Sequence, residues 1–224
     1  MRICIISDTH CRRTGIVIPE CDVLIHCGDM TMKGDVFEIN AVNEWLGKQP
    51  GKKKIVIAGN HDWLFEKNSY LAKSLITNAR YLEDSEVVID GVKFYGSPWQ
   101  PRFFDWAFNL DRGQPLRDKW RWIPSDIDVL ITHGPPFGIL DYSQYGNMRA
   151  GCEDLLERVQ QVKPKVHCFG HLHAGYGVRD INGTTFINAA ILDDRYNVAH
   201  KPIIIDIDPV TKIVSHEYGL VGAE

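Results

Sequence analysis

The chain has 224 residues, 44% of them hydrophobic, and a formal net charge of −4. That length supplies material for one sizeable core, so a single domain over residues 1–224 is expected. The acidic balance argues against a long nucleic-acid partner, whose binding is dominated by Lys and Arg neutralising phosphates. No apolar stretch is long enough to span a bilayer, so no membrane partner is expected either.

The opening segment, MRICIISDTH, passes from one Arg through a short apolar run into polar residues, unlike a secretory leader. Its apolar part, ICIIS, reads as a strand covered on both faces, because it is β-branched and nearly continuous rather than alternating. DVLIHC, KIVIAG, DVLITH and KVHCFG repeat that pattern further along. Helical spacing joins Val36, Ile39, Val42 and Leu46, and later Leu155, Leu156, Val159 and Val162, with Pro164 closing the second run. EVVIDGVKFYG and GVRDINGTTFIN read as hairpins turning at Asp90-Gly91 and Asn182-Gly183, pairs suited to positive φ. The last pair of strands, KPIIIDID and KIVSHEYG, is interrupted at Pro209. An α/β fold follows, in which antiparallel additions to a parallel core imply either one mixed sheet or two sheets stacked with helices outside. The segment SPWQPRFFDWAFNLDRGQPLRDKWRW is the least regular and is expected to be a functional loop.

Six cysteines (Cys4, Cys11, Cys21, Cys27, Cys152, Cys168) lack paired Cys-x-x-Cys spacing, which predicts reduced thiols in a cytoplasmic protein. Cys27, beside Gly28 and Asp29, is the thiol nearest candidate chemistry.

Each buried run ends in a potential metal ligand: Asp8 and His10, then Asp29, then Asn60-His61-Asp62, then His133, then His171-Leu172-His173. In open α/β sheets, ligands bind beyond the carboxyl ends of the strands, so these residues are expected to converge on one rim. Taken singly, Asp8 reads as a helix cap, Asn60 as a turn residue and His133 as a core histidine; five such endings in one chain read as a site. In an extended segment His171 and His173 point to the same side, as a pincer. Seven donors, Asp8, His10, Asp29, Asn60, His133, His171 and His173, are too many for one tetrahedral ion with an open position. Mixed nitrogen and oxygen ligation suits Mn²⁺, Fe or Zn²⁺. Two ions about 3.5–4 Å apart clamp the attacking and leaving oxygens of a phosphoryl displacement and acidify the nucleophilic water.

Taken in order, Asp8-x-His10, Gly28-Asp29, Gly59-Asn60-His61-Asp62, His133 and Gly170-His171-x-His173 resemble the signature of the calcineurin-like metallophosphoesterases. IVIAGNHD, LITHGPPFG and VHCFGHLHAGYG are similar to the metallophosphoesterase-domain-containing branch. Some members of that branch have lost a ligand histidine from the final motif; His171 is present here. The resemblance implies a four-layer α/β/β/α sandwich with two metal ions, Mn²⁺ foremost, with Fe, Zn²⁺ or Co²⁺ as alternatives. One ion would take Asp8, His10, Asp29 and His173, and the other Asp29, Asn60, His133 and His171. His61 would contact the phosphate and protonate the leaving oxygen, and Asp62 would orient its imidazole or serve as a turn residue.

Gly28-Asp29-Met30-Thr31-Met32 lacks the Asp-Arg-Gly of Ser/Thr protein phosphatases, and the metal-binding Tyr of purple acid phosphatases is missing too. In the aromatic and basic loop, Trp99, Arg102, Phe103, Trp106 and Arg112 could stack a base and pair a phosphate. Arg149 is a further phosphate candidate. The expected activity is hydrolysis of small phosphodiesters such as cyclic nucleotides by a metal-activated water. The alternatives are a phosphomonoesterase, a nuclease, or a nucleotide-binding or scaffold protein of weak activity.

Overall fold

The computed structural model describes residues 1–216. Two six-stranded mixed sheets carry the architecture. The first runs, edge to edge, Val214–His216, Ile203–Ile207, Arg2–Ile6, Val23–His26, Lys53–Val56 and Arg80–Tyr81. Its last four strands are parallel, and Ile203–Ile207 joins Arg2–Ile6 antiparallel. The second runs Gly177–Ile181, Thr184–Asn188, Val166–Phe169, Val129–Thr132, Val92–Ser97 and Ser85–Ile89. Its four inner strands are parallel and its two edge strands antiparallel.

Side-chain alternation along each strand explains the layers. Ile3, Ile5, Val23 and Ile25 of the first sheet pack against Val129, Ile131, Val166 and Cys168 of the second, forming the central core. Cys4, Ile6, Leu24 and Val56 face outward and are covered by Ile39, Val42 and Leu46 of the helix Val36–Lys48. Leu130 on the other sheet is covered by Leu155 and Val159 of the helix Glu153–Val162 and by Leu116 and Trp120 of the helix Gln114–Trp120. The order is thus helix, sheet, sheet, helix, as the sequence implied.

Both hairpins form as expected, with φ of 46° and 83° at Asp90-Gly91 and 50° and 84° at Asn182-Gly183. Of KIVSHEYG, the strand is Val214–His216; Glu217, Tyr218 and Gly219 lie outside the described residues. The segment after Ser97 departs from expectation. Gln100–Pro101 pairs with Asn109–Leu110 and the helix Gln114–Trp120 follows, anchored by buried Leu116 and Trp120. Only the tip between the two short strands is irregular.

Candidate metal centre

The parallel strands of both sheets deliver their carboxyl ends to one rim. Asp8 and His10 follow Arg2–Ile6, Asp29 follows Val23–His26, Asn60 and His61 follow Lys53–Val56, His133 follows Val129–Thr132, and His171 and His173 follow Val166–Phe169. Asp8, His10, Asp29 and His171 all have positive φ, between 40° and 67°. Such left-handed backbone costs of order 1–3 kcal/mol per residue and persists where the surroundings hold it for a functional arrangement. His171 and His173 are therefore not an extended pincer: His171 is left-handed and His173 begins a 3₁₀ turn, His173–Gly175.

The side chains nonetheless converge. Asp8 Oδ1 lies 3.6 Å from His173 Nε2 and 3.9 Å from His10 Nε2. Asp29 Oδ2 lies 3.6 Å from His10 Nε2 and 3.4 Å from His133 Nε2. Asn60 Oδ1 is 3.0 Å from His133 Nε2, and the His133 and His171 rings are 5.0 Å apart. Potential ligand atoms within 4.8 Å of one another fall into three sets, Asp8-His10-His173, His10-Asp29-His61 and Asp8-Asp29-His133. Asp29 thus stands between two groups of donors.

Backbone carbonyls orient the imidazoles. The Nδ1 atoms of His133, His173 and His61 each lie 2.9 Å from a carbonyl oxygen, of Cys27, Asp193 and Met32 respectively. A carbonyl can only accept, so each Nδ1 carries the proton and Nε2 is left for a ligand or a proton transfer. Cys27 therefore contributes its carbonyl, while its thiol is buried in the core with Cys168.

Charge follows the same geometry. Burial opposes a charge on His133, but the Asp29 carboxylate overrides it and raises the imidazole to about 9. Burial is likewise outweighed at His173, raised to about 9 by its bond to Asp8. Burial dominates at His10 and His171, lowered to about 4 and about 3. Against the cost of their own burial, Asp8 is held below the usual carboxylate range by His173, and Asp29 by His133.

The donor set fits metal ions. Asp8 Oδ1 and both ring nitrogens of His10 are buried without a hydrogen-bond partner among the described residues, and orphaned buried polar atoms are costly unless something outside the chain satisfies them. Room is also reserved: a Cβ at Gly170 would sit 2.0 Å from Asp8 Oδ2.

The family assignment agrees. The calcineurin-like phosphoesterase profile matches residues 1–175, which include all seven donors. The chain belongs to that family. As a calcineurin-like phosphoesterase it is a metal-dependent hydrolase of phosphate esters. It is similar to metallophosphoesterase domain-containing protein 1 of Homo sapiens, 45% identical over 230 residues that cover 92% of this chain and 71% of that protein. It is also similar to UPF0046 protein C25E10.12 of Caenorhabditis elegans, 42% identical over 228 residues, with 92% and 81% covered. The solved structure of phosphopantetheinyl hydrolase from Mycobacterium tuberculosis shares the fold, with a TM-score of 0.60 and 15% identity over 87% of this chain and 90% of that one.

Several phosphoesterase residues stand apart from their expected places. The Asp62 carboxylate accepts from Gly59 N at 2.8 Å, Thr31 N at 3.0 Å, Thr31 Oγ1 at 2.6 Å and Met30 N at 3.3 Å. It ties the Asp29 and Asn60 loops together and does not orient His61, whose bond goes to Met32. Trp99 donates from Nε1 to Asp84 Oδ2 at 3.0 Å and lies under Lys119, so it braces the loop. Arg102 is paired with Asp111, Arg112 with Glu153, and Arg149 with Asp141. These cations are spent on holding loops. Trp106 does reach the centre: its ring lies 4.2 Å from His61 at 31°. Phe103 approaches His171, with ring centroids 6.3 Å apart.

Sequence reasoning missed Tyr196, whose ring lies 4.8 Å from His10 and 5.5 Å from His173. The available signal was an aromatic residue in an otherwise polar turn, LDDRYN. It also missed His26 and Thr9, where His26 Nε2 lies 2.9 Å from the hydroxyl of Thr9, the residue between Asp8 and His10. No helix among the described residues is long and apolar enough to cross a membrane.

Proposed function

We propose that this protein is a dinuclear phosphodiesterase acting on small diesters such as cyclic nucleotides. The observation that carries the reading is Asp29, whose Oδ2 stands 3.6 Å from His10 Nε2 and 3.4 Å from His133 Nε2. One ion would be held by Asp8, His10, Asp29 and His173, and the other by Asp29, Asn60, His133 and His171. Mn²⁺ suits this oxygen and nitrogen set, with Fe, Zn²⁺ or Co²⁺ as alternatives. Bound there, two such ions supply Lewis-acid polarisation of the phosphate and an acidified water.

The chain's own part is positioning and proton transfer. Asp29 Oδ1 accepts from His61 N at 2.8 Å, which fixes the His61 backbone beside the donors. The imidazole is locked by its Nδ1 bond to Met32 and flanked by His10 at 4.6 Å and Trp106 at 4.2 Å. With Nδ1–H held by Met32, a second proton on Nε2 is the one free to leave, and in that doubly protonated form Nε2–H serves as the general acid that protonates the departing oxygen. Trp106 against His61 and Phe103 near His171 offer aromatic surface to a leaving group.

A diester preference is supported by the arginines. A monoester carries an additional negative charge that asks for a further cation, and Arg102, Arg112 and Arg149 are each paired with a carboxylate elsewhere. Six free cysteines support a cytoplasmic setting. The deciding measurement compares kcat/KM of the metal-loaded protein on an aryl phosphodiester and on the matching monoester. Faster cleavage of the diester is expected, and a clear monoester preference would overturn the substrate assignment.

A further inference from the structure

Tyr196 lies outside residues 1–175, yet its ring packs on the proposed donors of one metal. Its ring meets His10 at 66° and His173 at 69°, both edge-to-face arrangements. The His10 and His173 rings are themselves 5.5 Å apart, so the three rings form a closed triangle.

The backbone holds Tyr196 there against its own preference. Its φ is 61°, a conformation that a tyrosine rarely adopts. The turn that imposes it is fully bonded. Tyr196 N donates to Asp193 O and Asp193 N to Asn197 O, both at 2.9 Å. The Asp193 carboxylate accepts from Arg195 N and Asn197 N, also at 2.9 Å. The carbonyl of Asp193 that receives Tyr196 N receives His173 Nδ1 as well, so one oxygen sets the position of both side chains. The turn is rooted in the site at its other end. Ser7 N donates to Ala189 O at 2.9 Å and Ile191 N to Ser7 O at 3.0 Å, immediately before Asp8.

The ring is half-buried, and its hydroxyl has no hydrogen-bond partner among the described residues. A strained aromatic residue with an unused donor beside a cluster of imidazoles and carboxylates is placed for a ligand. We propose that Tyr196 is a substrate-binding residue, whose hydroxyl donates to a phosphoryl oxygen and whose ring braces His10 and His173. The proposal rests on the phosphoesterase reading of the site, and the oxyanion class follows from it. Donation from a phenol complements the pairing of Arg102, Arg112 and Arg149 with carboxylates elsewhere, because it binds an anionic oxygen without adding charge.

The test uses the whole chain loaded with Mn²⁺, in the wild type, Tyr196→Phe and Tyr196→Leu, with inorganic phosphate as the probe. Manganese content and dissociation constants are measured first, then phosphate affinity by calorimetry. Tyr196→Phe keeps the ring, so it should bind manganese as the wild type does and bind phosphate roughly tenfold more weakly, the size of one hydrogen bond to a charged group. Tyr196→Leu should weaken manganese binding as well. Unchanged phosphate affinity in Tyr196→Phe would overturn the hydroxyl's role, and unchanged manganese affinity in Tyr196→Leu would overturn the ring's. If the manganese-loaded wild type itself binds no phosphate, the hydroxyl has no oxyanion to meet and the proposal falls, while the family assignment stands.

Discussion

His133 Nδ1 lies 2.9 Å from the carbonyl oxygen of Cys27, a bond that joins the two sheets across 106 residues of sequence. Between that carbonyl and Asp29 stands Gly28, with φ of +98°, and a Cβ there would lie 2.6 Å from His133 Nδ1 and 2.7 Å from the Ala58 carbonyl. Gly28→Ala should therefore displace His133 and lower stability by roughly 2–5 kcal/mol, from overpacking and backbone strain together. Denaturant unfolding and metal content measure the two effects, and a variant with wild-type values of both would contradict the geometry.

Asp29→Ala should abolish uptake of both ions, because Asp29 is the carboxylate placed between the His10 and His133 nitrogens. His10→Ala should weaken mainly one. Elemental analysis after loading and desalting distinguishes these outcomes from the wild type, which should hold close to two ions per chain.

Metal binding should release protons at pH 7. Without metal, His133 and His173 are raised from 6.5 to about 9 by Asp29 and Asp8 against the effect of burial, so both are charged at pH 7. Burial keeps His10 and His171 neutral there. An incoming cation displaces the first pair's protons and none from the second, so about two protons should be released and affinity should climb as pH rises toward 9. The stabilisation those two ion pairs give the metal-free fold is complete below 6.5 and is lost as pH rises through about 9. Calorimetry in buffers of different ionisation heat counts the protons; an enthalpy independent of buffer would refute the assignment.

His61→Ala and Asp62→Ala should part company. The first should retain both metals and lose ~10²–10⁴-fold in kcat on a diester with a poor leaving group, and much less on an activated aryl diester. The second removes the acceptor for four buried donors around Thr31 and Gly59, so it should cost about 2–4 kcal/mol of stability whatever the substrate. A His61→Ala defect equal on both substrates would remove the acid role.

The strands, and the convergence of Asp8, His10, Asp29, Asn60, His133, His171 and His173 at their ends, were legible because each buried run stops at a residue whose chemistry has no place in a core. Of the two roles open to Asp62 the structure shows the turn role, because successive residues in a tight turn point apart: His61 faces the rim and Asp62 binds the loops beneath it. For Trp99 and Arg149 the sequence left loop packing and substrate contact open, because composition marks a loop as aromatic and basic without showing which groups are already paired, as Trp99 is with Asp84 and Arg149 with Asp141. Tyr196 was invisible for a different reason: only its left-handed backbone carries it to His10, and a sequence pattern does not report φ.

The strand Arg2–Ile6, whose carboxyl end leads into Asp8 and His10, lies between Val23–His26 and Ile203–Ile207, the latter pairing Arg2 with Asp206. These two residues thus follow a strand whose second neighbour is synthesised almost two hundred residues later. Contacts of such separation are formed late and slowly. The side chains that meet Asp8 and Asp29 across the rim, His173 and His133, also lie more than a hundred residues further along the chain, so the donor set is assembled only by contacts of long sequence separation.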